Sequence, residues 1–294
     1  MTLSSASGRS PGMTAQLIDG TAEAGKLFAQ TAERVEALVA STGVTPCLAT
    51  VLVGDDPASH TYVRMKTKRC AEAGIESLRL ELPAASTTAE VVEHITALSG
   101  DPNVHGILLQ HPVPAHIDER AVFEAIAPAK DVDGVTMHSF AAMAFGEPGF
   151  QSCTPGSIIR LLDAYDVKIE GSHAVVVGRS PILGKPVGML LLARNATVTY
   201  CHSKTLDLER LVAAADIVVA AVGRPEFIPG EWIKPGAVVV DAGYNRGNVG
   251  DVEFHTARER ASLITPVPGG VGPMTIAMLL AQTVDAAEQQ AAVS

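Results

Sequence analysis

Short apolar runs with strand character alternate with amphipathic helical stretches along almost the whole chain, and that rhythm leaves few folds open. Ala22 to Ala40 carries Ala24, Leu27, Phe28, Thr31, Val35 and Leu38 at helical spacing. Cys47 to Val53 then reads as a buried strand, stopped by Gly54-Asp-Asp-Pro57. Ala58 to Ala73 is a second helix closed by Gly74, Ser77 to Leu82 a strand, Thr88 to Leu98 a helix, and Val104 to Leu109 a third apolar run. Parallel strands need crossover connections of about a dozen residues or more, and helices of this length supply them. After a Gly- and Pro-rich break at Gly146 to Pro155, shorter strands follow at 174–177, 197–201, 217–222, 237–241 and 262–265. Helical stretches at Val187 to Arg194 and Leu206 to Ala214 lie between them. The pattern predicts an α/β chain of two domains: one α/β unit over 13–150 with 275–294, and a doubly wound Rossmann-type sheet over 151–274. A cleft is expected between them, and 1–12 is expected to be a flexible extension.

Composition narrows the function. Of 294 residues, 22 are Lys or Arg and 32 Asp or Glu, a net charge of −10 that disfavours a nucleic-acid partner. Cys47, Cys70, Cys153 and Cys201 are far apart, and the nine histidines include no H-E-x-x-H, so neither a disulfide scaffold nor a metal site is expected. No apolar run approaches the roughly 20 residues of a membrane span. The start lacks the apolar centre of a signal peptide, so a cytoplasmic location is expected.

The first turn of the second sheet reads Val175-Val-Val-Gly-Arg-Ser-Pro-Ile-Leu-Gly184. A strand, a tight glycine turn and a helix start make a phosphate cradle, although the spacing is G-R-S-x-x-x-G rather than G-x-G-x-x-G. An ordinary glycine-bearing βα turn has the same shape. The next strand sharpens the reading. NAD sites carry an acid about 20 residues on, for the ribose 2′-hydroxyl. Here the strand ends in His202-Ser-Lys-Thr205 without a carboxylate, and Arg179 and Ser203, with Lys204 nearby, suit a 2′-phosphate. NADP is therefore the expected cofactor.

On the helix from Ala58 to Ala73, Tyr62, Lys66, Cys70 and Ala73 share one face with Val63 beside them, while Arg64, Lys68 and Glu72 point to water. Lys66 thus stands in an apolar stripe. Two readings fit it: a stem snorkelling along the helix edge, or a desolvated amine whose lowered pKa makes it a general acid or base. Tyr62 offers either a stacking ring or core packing. Gln110 follows the third strand at the carboxyl end, where ligands gather in open α/β sheets. Asp133, in Lys130-Asp-Val-Asp-Gly134, is either turn chemistry or a site carboxylate.

Together these blocks resemble the bifunctional methylenetetrahydrofolate dehydrogenase/cyclohydrolase family, from about Gln16 to Gln282. The matching segments include Gly54-Asp-Asp-Pro-Ala-Ser59, Tyr62-Val-Arg-Met-Lys66, Val104-His-Gly106 through Gln110, Lys130-Asp-Val-Asp-Gly134, Val177-Gly-Arg-Ser180, Cys201-His-Ser-Lys-Thr205 and Pro266-Val-Pro-Gly-Gly-Val-Gly-Pro-Met-Thr275. The resemblance implies Lys66 as acid/base with Gln110 beside it, Tyr62 stacking on the folate and Asp133 holding the pterin's amino edge. It implies Pro268, Gly269 and Gly270 at the substrate cleft, and Gly178, Arg179, Ser180, Ser203 and the backbone of Tyr244 on NADP. A homodimer acting on tetrahydrofolate derivatives, serving one-carbon metabolism and purine biosynthesis, is implied with them. The chain departs from the family pattern at His111, at Val135 to Met143 (Ser139 and Ala142), at Gly156-Ser157 and at Tyr244. A dehydrogenase with weak cyclohydrolase activity and a non-catalytic NADP- or folate-binding paralogue are the competing readings.

Overall fold

A computed structural model describes residues 14–292, with the side chains of residues 57–62 outside that description. The extension expected over 1–12 lies outside the described residues. In chain order the elements begin with Gln16–Leu17 (β1), Gly20–Thr42 (α1), Cys47–Val53 (β2), Pro57–Glu72 (α2) and Glu76–Leu82 (β3). Thr88–Gly100 (α3), Gly106–Gln110 (β4), Glu119–Glu124 (α4), Met137–Phe145 (α5) and Cys153–Ala164 (α6) follow. The rest are His173–Val177 (β5), Gly184–Ala193 (α7), Thr197–Cys201 (β6), Leu208–Ala213 (α8), Ile217–Ala220 (β7), Val238–Asp241 (β8), Phe254–Arg260 (α9), Leu263–Ile264 (β9) and Val271–Ala291 (α10).

Two domains with all-parallel sheets result, as the alternation predicts. The first sheet has the order β3-β2-β4. The second has the order β1-β9-β8-β7-β5-β6. All seven residues of β2 are buried because it is the middle strand with elements on both faces, which is why it reads as an unbroken apolar run. The one surprise is β1: the start of the chain crosses to the second sheet, where Gln16 and Leu17 pair with Leu263 and Ile264.

Each sheet changes direction once, between β2 and β4 in the first and between β5 and β7 in the second. Such switch points leave a crevice at the strands' carboxyl ends. Gln110 stands at the first and Gly178 at the second. On α2 the stripe behaves as read: Val63, Cys70 and Ala73 are buried, while Arg64, Lys68 and Glu72 face solvent. The last helix, α10, packs on α1 and α6 and reaches β2 and β4, so it backs the first sheet after its chain has left the second. Among the described residues, no helix is long and apolar enough to cross a membrane.

Candidate functional site

Lys66 sits in the third turn of α2, half-buried, and its Nζ donates to Gln110 Oε1 at 3.0 Å. The other end of the same amide is committed too, since Gln110 Nε2 donates to the His111 carbonyl at 2.9 Å. That second bond fixes the amide's orientation, so an acceptor always faces the amine.

Asp133 follows a single 3-10 turn, Pro128–Lys130, and Gly134 completes the bend at φ +65°, where a side chain would collide with Gln151 and Ser152. The loop is held from below by Asp131, which is wholly buried and accepts from Val135 N (3.0 Å), Thr136 N (2.9 Å) and Ser139 Oγ (2.5 Å). Burial pushes the Lys66 ammonium below the usual lysine range, against the pull of the Asp133 carboxylate. Burial likewise pushes Asp133 above the usual carboxylate range, against the pull of Lys66. Both shifts favour the neutral pair, which brings two proton-holding groups toward each other in proton affinity. Nearby thiols are no rivals: burial raises Cys70 to about 12 and Cys153 well above its ordinary value, so both stay protonated.

A cavity of about 500 Å³ opens beside Lys66 and Gln110 and runs to Asp241, Tyr244 and the Pro266 to Pro273 loop. Pro268, Gly269 and Gly270 form part of its wall, as do Thr154 of α6 and Thr275 of α10, whose Oγ1 donates to Thr154 Oγ1 at 3.3 Å. Arg69, one turn beyond Lys66, lies over the Phe28 ring with 5.1 Å to its centroid and lines the same space. Tyr62 is on α2 one turn before Lys66, but its side chain lies outside the described residues.

The second crevice is built for close backbone approach. Gly178 has φ +143° and a Cβ there would strike the Ala221 carbonyl, while a Cβ on Gly184 would strike the Gly178 backbone. Ser180 Oγ accepts from Leu183 N (3.1 Å) and Gly184 N (3.4 Å), ordering the first turn of α7. Gly178 N donates to Cys201 O at 2.9 Å, which sets Arg179 beside the next strand end, where Ser203 follows His202. Arg179 and Ser203 are both exposed. They adjoin each other at neighbouring strand ends, outside the wall of the Lys66 cavity. A side-chain-free glycine turn, a helix start and an exposed guanidinium fit a dinucleotide with a 2′-phosphate.

Two buried carboxylates that sequence reading missed brace this crevice. Asp251 accepts from the N–H groups of Val222 (2.6 Å), Gly223 (2.8 Å) and Arg224 (2.9 Å) and from Asn245 Nδ2 (3.0 Å). Asp241 accepts from Gly243 N (2.9 Å), Asp251 N (3.0 Å) and Val252 N (2.8 Å). Their only sequence signal is an acid near a glycine, Asp251 directly after Gly250 and Asp241 two residues before Gly243, which reads as turn chemistry. Tyr244, 57% exposed, bonds through its hydroxyl to Asn248 Oδ1 at 2.7 Å.

Despite those bonds, burial pushes Asp241 from 3.8 up to about 6. Its folded-state pKa therefore exceeds the unfolded one, and this group favours folding most at acid pH and progressively less as pH rises through about 6. Urea midpoints are expected to show about 1 kcal/mol more stability from this group at pH 5 than at pH 7. That part of the slope should vanish in Asp241→Ala. An identical slope in wild type and variant would show that Asp241 titrates normally.

Comparison with known proteins agrees with this geometry. Residues 18–133 match the model of the tetrahydrofolate dehydrogenase/cyclohydrolase catalytic domain, and residues 152–291 that of its NAD(P)-binding domain. The bifunctional protein FolD 1 of Streptomyces avermitilis is 70% identical over 277 residues, 94% of this chain and 96% of that one. The Campylobacter jejuni bifunctional enzyme FolD, methylenetetrahydrofolate dehydrogenase/cyclohydrolase, superposes with a TM-score of 0.91 at 43% identity, covering 94% of this chain and 99% of that chain. A Trypanosoma brucei methylenetetrahydrofolate dehydrogenase-cyclohydrolase, solved with NADP cofactor and inhibitor, also gives 0.91, at 38% identity over 95% of this chain and 99% of its own. With both of its domains matched in order and relatives of this identity over nearly its whole length, the chain belongs to the tetrahydrofolate dehydrogenase/cyclohydrolase family.

Proposed function

We propose that this chain is an NADP-dependent methylenetetrahydrofolate dehydrogenase that also hydrolyses the methenyl product to 10-formyltetrahydrofolate. The observation that carries the reading is Lys66, desolvated and bonded to Gln110 at 3.0 Å, in the wall of a cavity that reaches the loops beside the second crevice.

When bound, NADP accepts a hydride from the methylene carbon that bridges two folate nitrogens. The chain's share of that step is alignment: Gly178, Ser180 and the start of α7 would hold the diphosphate, Arg179 and Ser203 the 2′-phosphate, and the Tyr244 backbone would also touch the cofactor. Asp133 holds the pterin's amino edge, where a carboxylate accepts from adjacent N–H donors, and Tyr62 stacks on the substrate. The Pro268 to Gly270 turn lines the same cavity as Lys66. In the hydrolytic step water adds to the methenyl carbon, and Lys66 takes a proton from that water and returns one to the departing nitrogen. Its lowered proton affinity eases release of the proton it returns, and Gln110 keeps its nitrogen aimed.

Purified protein given methylenetetrahydrofolate and NADP should form NADPH and the methenyl chromophore, and should then speed decay of methenyltetrahydrofolate supplied alone. Formation without accelerated decay would leave a dehydrogenase only. No NADPH with any folate would leave a binding paralogue. Arg179→Ala is expected to raise the NADP KM by about 10- to 100-fold, the worth of a charge-assisted phosphate contact, with the NAD KM unmoved. Equal losses with both cofactors would remove Arg179 from the 2′-phosphate.

A cytoplasmic homodimer supplying formyl groups for purine biosynthesis completes the reading. The outer edge of β6, last in its sheet, supports the dimer, because among the described residues no strand pairs with it on that side and Leu192, Tyr200 and Leu206 are exposed there or nearby.

A further inference from the structure

Gln282 lies in α10 about three turns beyond the helix start that borders the cleft, and only 3% of it is exposed. Its Nε2 donates to the Val132 carbonyl (2.6 Å) and the Gln151 carbonyl (3.0 Å), and it stands 3.4 Å from Cys153 Sγ. Its Oε1 accepts from Gln151 N at 3.2 Å. An amide nitrogen has two protons, so the two carbonyls take them and the sulfur sits at the rim of the same cluster.

Everything this amide grips adjoins Asp133. Val132 precedes it in the chain, and the Cys153 thiol, whose Sγ donates to the Val132 carbonyl at 3.2 Å, lies beside the Asp133 carboxyl. Cys153 N donates to Asp133 O (3.2 Å), and Ser152 Oγ to Gly134 O (2.7 Å). The Asp133 loop therefore hangs on residues 151–153, and one side chain ties both segments to α10. Packing alone gives no reason for an amide here. Its buried neighbours on the helix include Leu279, Leu280, Val284 and Ala286, and the helix's own backbone bonds are complete without it.

We propose that Gln282 is a positioning residue for the reaction: it fixes where the Asp133 carboxyl stands relative to Lys66, and so how tightly the folate's amino edge is held. The inference rests on the function proposed above. It identifies the third support of the Asp133 loop, beside Asp131 below and Cys153 at its side.

The test is kinetic and uses the full chain. In Gln282→Met, which keeps the volume and removes the amide, the KM for methylenetetrahydrofolate should rise about tenfold while the KM for NADP stays within about twofold. Asp133→Asn should raise the folate KM as well, and adding Gln282→Met to it should change that KM little further, because both act through one carboxyl. Thr283→Val supplies the control. That hydroxyl is buried on the same helix and, among the described residues, donates to Leu279 O (2.8 Å) and not to the Asp133 loop, so its loss should lower Tm and leave both KM values alone. If Gln282→Met does not fold, Gln282→Asn keeps a shorter amide and should show the same one-sided rise in smaller measure. A lower Tm with both KM values unchanged would overturn the proposal, as would a full tenfold effect persisting in the Asp133→Asn background. Wild-type protein that reduces no NADP with the folate would defeat the proposed function and this inference together, which distinguishes that failure from the others.

Discussion

Replacing Lys66 with methionine is expected to slow methenyl hydrolysis by about 10²- to 10⁴-fold, the usual worth of a positioned acid/base. Methionine keeps the stem's volume and removes the amine hydrogen-bonded to Gln110. Hydride transfer moves no proton, so NADP reduction should fall much less. Lys66→Arg is the sharper probe. A guanidinium keeps the charge and the hydrogen bond but does not release its proton near neutrality, so it should fail in hydrolysis almost as badly. Decay of the methenyl chromophore measures the first rate and NADPH formation the second. Hydrolysis within tenfold of wild type in both variants would place proton transfer elsewhere and return Lys66 to a snorkelling role.

Asp251→Ala is expected to be the most damaging single change to stability, at about 3–5 kcal/mol. Three backbone N–H groups of a part-buried loop and the Asn245 amide converge on its wholly buried carboxylate, and a donor left without an acceptor costs up to about 1–3 kcal/mol, less where water can reach it. Asparagine is no substitute, because its amide would turn N–H groups toward N–H groups. The loop at 222–224 follows β7 at the switch point beside Gly178, so the NADP KM should rise along with the loss of stability. Urea unfolding gives the first quantity and initial rates the second. A loss below about 1 kcal/mol would mean that water or relaxation satisfies the loop without Asp251.

Much of the fold is legible in the sequence because its strands are short apolar runs between turn residues, and a parallel sheet buried on both faces writes itself that way. Lys66 is legible for the same reason, as a charge in a stripe whose other members, Val63, Cys70 and Ala73, are buried. Asp133 reads two ways, as turn and as site: Gly134 has the positive φ of the turn, and the carboxyl beside it feels the charge of Lys66, which is what the proposed site role draws on. What escapes is tertiary. Glu119–Glu124, Met137–Phe145 and Cys153–Ala164 escape because they follow one another with no strand between, so the strand–helix alternation that marks the equally short α7 and α8 is missing there. Asp251 and Gln282 look like solvent-facing polar residues until partners tens to hundreds of residues distant enclose them.

The pairing of β1 with β9 also sets a clock on biosynthesis. Gln16 leaves the ribosome about 250 residues ahead of Leu263, and at roughly 5–20 residues per second the first strand waits on the order of 12–50 s for its partner. Such a delay is hazardous for a long apolar strand, which would find other edges first. This one spans two residues, and both keep their side chains in water even after docking. The last strand to be matched is thus the one with least to offer a wrong neighbour, and a newly made chain can wait for its own end without sticking to another.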